Sequence, residues 1–440
     1  MPEPIPALLR KIYRVTGWSA IKSQLCGAGQ GPEHHFQHPQ KSATVPNLYP
    51  FDGVIQHYAW GGYEYLPSLL HADNPDHQPW AELWMGAHEK GPGRLRDAAA
   101  TLAEVIQKDP TGVLGEAVAQ RFDQRLPFLF KILDVREMLS IQVHPTKQAA
   151  EEGFAEEERN GPARDAPDRN YRDDNHKPEL GVALTDFYLL HGFRSPEAIR
   201  ATLADVPGWD GLIPTLDEGG TEALYAHVMG AEQAEIDQLL TPLAEEVRKG
   251  NYHRDQPRFW AQRAVEQYTD DGHHDRGMFS IFWFNLVKLT PGQGIFQDAG
   301  IPHAYLEGCC IELMANSDNV LRGGLTPKHI DVEELLKHTD FQAVEPNPLA
   351  PQAARGPWKI YPTPAPDFSL STARVKAGYS LPVEASDAPG ILLLMSGALE
   401  ANGTRLTEEQ RTVFVPAGSS VDWSCTSDAV VYWATVGTIK

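Results

Sequence analysis

Residues 126–135 read Leu-Pro-Phe-Leu-Phe-Lys-Ile-Leu-Asp-Val and follow directly on Arg125. A short apolar run of this kind is typical of a strand that is buried on both faces. We therefore predict a buried strand here, in a chain that reads as strands and turns from Tyr49 onward.

A helical block interrupts this strand pattern between Ser195 and about Gly250. Residues 195–197 read Ser-Pro-Glu, which combines a capping hydroxyl, a proline at the first helical position and an acidic first turn. Lys249-Gly250 has the pattern of a helix end. Strand patterning is expected to resume at Phe279, Ile281, Trp283 and Leu286. The helical block is therefore predicted to be an insertion into a β domain.

The C-terminal part of the chain predicts a second, small antiparallel β-barrel. A proline-rich stretch at 346–351 is a plausible linker, and residues 390–397 and 411–418 are short apolar strands. Asn402-Gly403 supplies a hairpin turn of the kind favoured between paired strands.

Length and composition limit the remaining possibilities. The 440 residues favour two or three globular domains, and the net charge of -21 argues against a nucleic-acid or anionic-membrane partner. An anionic substrate must therefore meet a local cluster of Lys and Arg. Four cysteines form neither a disulfide framework nor a thiolate metal site, and no apolar run approaches the roughly 20 residues that span a bilayer. We expect a cytoplasmic protein with no nucleic-acid or membrane partner.

Residues 1–46 form a leader of unknown role. Arg10, Lys11, Arg14 and Lys22 lie in a stretch with no acidic residue after Glu3. A basic amphipathic start is compatible with a transit peptide, and equally with a frayed extension.

Residues 140–145, Ser-Ile-Gln-Val-His-Pro, carry the most informative polar pattern. In an extended strand Ile141 and Val143 enter one apolar layer while Ser140, Gln142 and His144 line the opposite face. One histidine among 17 is by default a surface or structural residue. Three polar groups on a strand built for burial need partners or a metal.

Two further clusters repeat this arrangement. Residues 175–179 read Asn-His-Lys-Pro-Glu, and the proline favours an extended Lys177, which puts Lys177 and Glu179 on one side. His303 and Tyr305 share a face in the segment 300–305 by the same alternation. Each cluster alone is as compatible with a solvated loop or a structural histidine. Together, two imidazoles, a carboxylate and an amide oxygen form a donor set that suits catalytic zinc.

These motifs resemble the signature blocks of the type I mannose-6-phosphate isomerases. The matching blocks occur in the family's order and cover most of residues 49–340: 81–88, 126–131, 139–145, 175–179, 302–305 and 317–328. The resemblance implies one zinc ion per chain, with the ligands Gln142, His144, Glu179 and His303. It further implies a set of catalytic groups, Arg322, Lys177, Asp318 and His176, and a set of substrate-binding groups, Ser140, Tyr305, Glu312 and Lys328.

The resemblance also implies a fold and a reaction. The fold would be mainly β with an α insertion, in which cupin (jelly-roll) barrels accompany an inserted helical domain. The implied boundaries are a catalytic cupin domain at 47–194 and 276–345, a helical insertion at 195–275 and a C-terminal cupin-like barrel at 352–440. The reaction would interconvert mannose 6-phosphate and fructose 6-phosphate through a cis-enediol, feeding GDP-mannose biosynthesis. We expect a monomer, with an oligomer left open.

Within that reaction, Lys177 and Asp318 are the acid–base candidates and His176 would assist ring opening. Lys177 would need a depressed pKa to act as a base. Asp318 precedes Arg322 by four residues, so an extended segment would place both on one side.

Two other classes of function remain open at this stage. One is a cupin that binds a sugar phosphate or a metal without turnover. The other is a cupin enzyme of different chemistry, such as an iron-dependent dioxygenase or a glucose-6-phosphate isomerase. Gln142 fits the facial His and carboxylate set of Fe(II) poorly.

Overall fold

The computed structural model describes residues 48–385 and 387–438, so the predicted leader lies outside the described residues. The described chain is mainly β-sheet with helices between the strands, as the sequence predicts. In chain order the strands are β1 (Tyr49–Asp52), β2 (Val54–Gln56), β3 (Glu82–Met85), β4 (Arg94–Leu95), β5 (Phe128–Val135), β6 (Gln142–Val143), β7 (Glu179–Ala183), β8 (Phe187–Phe193), β9 (Thr269–Asp270), β10 (His273–His274), β11 (Phe284–Leu289), β12 (Gly294–Gln297), β13 (His303–Ala315), β14 (Leu321–Arg322), β15 (Gln352–Ala353), β16 (Trp358–Tyr361), β17 (Ser369–Val375), β18 (Ser380–Ala385), β19 (Gly390–Ser396), β20 (Leu399–Ala401), β21 (Thr404–Leu406), β22 (Thr412–Val415), β23 (Ser419–Cys425) and β24 (Ala429–Thr435).

The helices lie mostly between β3 and β11. They are α1 (Tyr65–Leu69), α2 (Leu102–Lys108), α3 (Pro110–Leu114), α4 (Glu116–Arg121), α5 (Lys147–Asn160), α6 (Pro196–Asp205), α7 (Ile213–Gly230), α8 (Gln233–Lys249), α9 (Pro257–Gln267), α10 (Ser280–Trp283) and α11 (Val332–His338), with 3₁₀ turns at Asp210–Leu212 and Arg276–Phe279. Among the described residues, no helix combines the length and the apolarity needed to cross a membrane.

A ten-stranded sheet surrounds the long strand β13. This strand pairs antiparallel with β5, β6, β7 and β8, and β14 joins the sheet through β6. Every residue of β5 is buried, which confirms the strand predicted at 126–135, although the strand begins only after Pro127. Since β13 has partners along its length, it fixes the relative positions of all the segments that carry the polar motifs.

An eight-stranded sheet packs against this first sheet. Its order is β15-β16-β17-β24-β19-β22-β1-β4, so strand β1 from the start of the described chain joins the C-terminal strands, with Tyr49 opposite Phe414. One apolar cluster contains Leu313 of the ten-stranded sheet and Ile391 of the eight-stranded sheet. The two sheets therefore share a core.

Local signals predicted several boundaries correctly. The Ser195 hydroxyl accepts a hydrogen bond from the backbone N–H of Ala198 at 3.2 Å, so Ser195 caps α6. Helix α8 ends at Lys249, with Gly250 as its C-cap. Asn402 and Gly403 both have positive φ angles in the hairpin between β20 and β21, as a two-residue turn there requires.

The prediction that strands resume at Phe279 is wrong. Residues Arg276–Phe279 form a 3₁₀ turn, Ser280–Trp283 form α10, and β11 begins at Phe284. All four residues of α10 are buried. Apolar residues at every second position suggested a strand, but a helix that is buried on every side is apolar throughout and gives the same pattern.

The helical block packs on the apolar side of the 140–145 segment. Ile141 and Val143 lie in the same core cluster as residues of α6, α7, α8 and α9, such as Leu240 and Trp260. The opposite face of the segment is left for polar groups, as the alternation of a strand predicts.

Candidate metal centre and cleft

An open cleft of about 770 Å³ lies on the polar face of the ten-stranded sheet. Its deep end continues into an inner cavity of about 60 Å³. Lys131, Leu139, Gln142 and Lys177 line both spaces, so they mark the passage between them. The predicted substrate-binding residues Ser140 and Lys328 line the outer cleft, and Tyr305 and Glu312 line the inner cavity.

Three buried side chains meet at the inner end. His144, Glu179 and His303 place one ligand atom each within 4.8 Å of one another, an arrangement that could hold a metal ion. The Glu179 carboxylate lies 3.4 Å from Nε2 of His144 and 3.3 Å from Nε2 of His303. The three come from the end of β6, the start of β7 and the start of β13.

The hydrogen bonds of the two imidazoles fix which nitrogen is free. Nδ1 of His144 donates to the Asn319 carbonyl at 2.9 Å, and Nδ1 of His303 donates to the Ile301 carbonyl at 2.9 Å. Both Nε2 atoms are buried and lack a hydrogen-bond partner among the described residues. The Nε2 atoms of both imidazoles therefore face the Glu179 carboxylate. A cation would satisfy all three groups, and carbonyl acceptors behind ligand histidines are typical of zinc sites.

The charges of the centre match this reading. Burial lowers the pKa of His144 to about 4, which keeps its imidazole neutral. Burial alone would raise the pKa of Glu179, but the Lys177 ammonium and the neighbouring imidazoles hold it well below its ordinary value. The centre therefore offers neutral nitrogen and anionic oxygen, the donor types that zinc accepts.

Gln142 lies beside this group. It pairs with His303 of β13 on one side and with Arg322 of β14 on the other, and its side chain lines both cavities. Its place as a fourth ligand stays a prediction.

The residues of the 175–179 motif separate. Nζ of Lys177 lies 3.3 Å from Glu179 and faces the cavities. His176 lines neither cavity; its Nε2 lies 2.8 Å from the carboxylate of Asp367, a buried residue of the C-terminal region. The structure thus brings Lys177, and not His176, to the centre.

Asp318 lies on one wall of the cleft, held by an unpredicted pair of residues. Nζ of Lys90 donates to its carboxylate at 2.5 Å, and Nε2 of His88 lies 3.7 Å away. Burial alone would raise the pKa of Asp318, but Lys90 and His88 outweigh burial, and the pKa lies below its ordinary value. Residues 316–320 belong to no strand, because β14 begins at Leu321, so Asp318 and Arg322 are not aligned along one strand; both nevertheless line the outer cleft.

Three cations gather at the outer end of the cleft: Arg172, Arg322 and Lys328. Burial lowers the pKa of Arg322 and of Lys328, and the neighbouring cations lower both further. Among the described residues none of the three has a carboxylate within ion-pair distance. A group of cations that repel one another and have no carboxylate partner is typical of an anion-binding site.

A second charged group lies in the floor of the cleft. The buried Nζ of Lys131 donates to Glu312 at 2.9 Å and lies 3.5 Å from Glu82. Burial would lower the pKa of Lys131, but the two carboxylates raise it above its ordinary value, so the lysine is charged. Burial raises the pKa of Glu312. The Tyr305 hydroxyl is buried nearby without a hydrogen-bond partner among the described residues.

Five residues of the site have no predicted role: Glu82, His88, Lys90, Lys131 and Arg172. Lys131 could have been found, since it is a cation in a buried strand whose other residues, apart from Asp134, are apolar. The pairing of Lys90 with Asp318 joins segments far apart in the chain and has no local signature.

Comparisons with known proteins agree on one family. The model of the phosphomannose isomerase type I catalytic domain matches residues 48–196. Mannose-6-phosphate isomerase of Escherichia coli K12 is 42% identical over 326 residues, which cover 72% of this chain and 81% of that protein. The human enzyme is 34% identical over 396 residues, which cover 82% and 90% of the two chains.

Solved structures give the same result. The mannose 6-phosphate isomerase of Salmonella typhimurium bound to its substrate F6P and to zinc is 36% identical to this chain. The similarity covers 89% of this chain and 100% of that one, with a TM-score of 0.80.

Proposed function

The chain belongs to the type I phosphomannose isomerase family, and on that premise we propose that it interconverts D-mannose 6-phosphate and D-fructose 6-phosphate with one zinc ion per chain. One observation carries the proposal: the Nε2 atoms of His144 and His303 face Glu179 at one end of a cleft, and at its other end are three cations that have no carboxylate partner among the described residues. A metal-assisted reaction on a phosphorylated small molecule needs both ends.

The substrate lies along the cleft in this account. Its phosphate binds Arg172, Arg322 and Lys328, because these cations lack carboxylate partners among the described residues on a chain of net charge -21. The phosphate is on C6 and the aldehyde is C1, at opposite ends of the sugar, so the reacting carbons reach the inner end beside Lys177. Ser140 and Gln142 line the wall between the two ends.

The metal would be held by His144, Glu179 and His303, with Gln142 as the fourth ligand. Zinc supplies Lewis-acid polarisation of the carbonyl and hydroxyl oxygens of the sugar. The protein's own groups bind and orient the sugar and move its protons.

Isomerisation requires a proton to leave C2 of the aldose and arrive at C1, while a hydroxyl proton passes from O2 to O1. The carbon–hydrogen bond at C2 breaks as the C1–C2 double bond of a cis-enediol forms, and reprotonation at C1 completes the ketose. We assign this transfer to Lys177, since it lines both cavities at the metal centre. Asp318 is the second candidate; Lys90 holds its carboxylate and lowers its pKa.

Arg322 has two tasks available to it. Its guanidinium can bind the phosphate, or it can stabilise the oxygen that becomes negative as the enediol forms. Its backbone pairs with that of Gln142, which puts the start of its side chain next to the proposed metal ligand. His176 has no direct role in this proposal, because its ring is held by Asp367.

Several wider features accompany the proposal. We infer that the two β regions are cupin-type barrels with the helical insertion at 195–275, and that the C-terminal barrel, completed by β1, supports stability more than chemistry. The protein is proposed to act as a cytoplasmic monomer that supplies nucleotide-mannose synthesis.

The direct test is to incubate the purified, zinc-loaded protein with mannose 6-phosphate and to measure fructose 6-phosphate with time. Turnover supports the proposal, and binding of the sugar phosphate without product would favour a binding protein. Glucose 6-phosphate is the matched control substrate: faster turnover of that sugar would identify a different isomerase.

A further inference from the structure

The segment 323–328, which follows Arg322 and ends at Lys328, has a strained backbone. Gly324 has φ +114°, and the buried Leu325 has φ 54° in the left-handed region that side chains other than glycine rarely adopt. Such a conformation persists only where the surrounding structure holds it in place. Leu325, Thr326 and Lys328 of this segment line the outer cleft.

A single carboxylate from outside the segment holds it. Asp275, which follows the helical block, accepts the backbone N–H of Leu325 at 2.7 Å and that of Thr326 at 3.1 Å. The same carboxylate accepts the N–H of Gly277 at 2.7 Å and so caps the 3₁₀ turn Arg276–Phe279. Asp275 lines neither cavity, so its contacts with the cleft pass through the backbone of the segment.

The two backbones also touch directly. A methyl group on Gly324 would collide with the backbone of Gly277, and a methyl group on Gly277 would collide with Gly324 and with the N–H of Leu325. On its other side the segment is fixed by hydrogen bonds between Ile141 and residues 323 and 324. The position of the segment is therefore set from the helical block and from the metal-binding strand together.

We propose that Asp275 is a positioning residue for the phosphate subsite, holding the strained segment 323–328 so that Arg322 and Lys328 converge on the phosphate of the sugar. This inference rests on the proposed function, since it specifies how that site recognises the phosphate. Without the carboxylate, the left-handed Leu325 loses the hydrogen bond that compensates for its strain, and the segment relaxes away from the cleft. The metal centre, which lies on other strands, keeps its geometry.

The test compares Asp275→Asn with the control Asp109→Asn. Asp109 also caps a helix, accepting the N–H of Gly112 at 3.0 Å, but it lines neither cavity. In Asp275→Asn an amide NH₂ replaces one of the two accepting oxygens and opposes a backbone donor. We expect KM for mannose 6-phosphate and the inhibition constant of inorganic phosphate both to rise about tenfold, with kcat and zinc content within about threefold of the parent. The control should leave all four values unchanged.

A second variant, Gly324→Ala, places a methyl group against Gly277 and the Asp275 carboxylate, so it displaces the segment from the same contact and should reproduce the same split between KM and kcat. With two variants, the inference can be tested even if one of them folds poorly. Zinc content and near-UV circular dichroism identify a poorly folded variant. Parental KM and phosphate inhibition in a folded Asp275→Asn protein would overturn the inference. An inactive parent would instead refute the proposed function, and phosphate affinity measured by calorimetry would still decide the role of Asp275.

Discussion

Replacing Arg322 by alanine separates the two tasks that its guanidinium can perform. The side chain is partly buried, and both burial and the nearby Arg172 lower its pKa, so its charge is neither fully hydrated nor neutralised. Removing one preorganised donor that stabilises a developing charge costs about 3 kcal/mol, or about a hundredfold in rate. We therefore expect kcat of Arg322→Ala to fall about a hundredfold if the guanidinium stabilises the enediolate oxygen.

Lys328→Ala is the matched control, because Lys328 is a cation at the same end of the cleft and is more exposed than Arg322. It should raise KM with little change in kcat, as loss of uniform substrate binding does. The assay is steady-state kinetics at saturating mannose 6-phosphate, together with exchange of the C2 proton with solvent deuterium. If kcat of Arg322→Ala stays within a few-fold of the parent while KM rises, Arg322 is a phosphate anchor and its catalytic role is refuted.

Three further predictions address the surroundings of the site. Lys90→Met removes the cation that lowers the pKa of Asp318, so that pKa should rise. If activity requires ionised Asp318, the acid limb of the kcat/KM profile should move to higher pH. An acid limb that stays in place would exclude Asp318 as the group that this limb reports. Leu313→Ala should lower the free energy of unfolding by about 2–5 kcal/mol in denaturant titrations, because Leu313 is fully buried in the core shared by both large sheets, and a loss below about 1 kcal/mol would contradict that shared core. Asp367→Asn should lower the melting temperature, because it weakens the hydrogen bond to His176, while kcat stays within a few-fold of the parent value. A folded, zinc-loaded but inactive variant would show that the C-terminal region takes part in the chemistry.

Local sequence signals predicted the elements that local physics determines. The apolar run of β5, the cap at Ser195 and the turn at Asn402-Gly403 depend on neighbouring residues alone, and each is present. The strand predicted from Phe279 failed because burial on every side removes the periodicity that separates a helix from a strand.

The site required more than local signals. Glu179 and His303 begin strands β7 and β13, and His144 directly follows β6; they meet only because β13 pairs with β6 and β7, so the resemblance to a family was needed to join them. Contacts such as those of Asp275 with the 323–328 segment join residues that are far apart in the chain, so no local sequence pattern predicts them.

We propose that His144, Glu179 and His303 hold the zinc ion on which isomerisation depends. The most direct measurement is to strip the metal with a chelator and to titrate zinc back while following conversion of mannose 6-phosphate to fructose 6-phosphate, with His303→Ala treated in parallel. We predict that the stripped protein is inactive, that activity returns in proportion to added zinc and stops rising at one equivalent per chain, and that His303→Ala neither retains zinc nor regains activity. Full activity in the metal-free protein, or an undiminished zinc content in His303→Ala, would contradict the account.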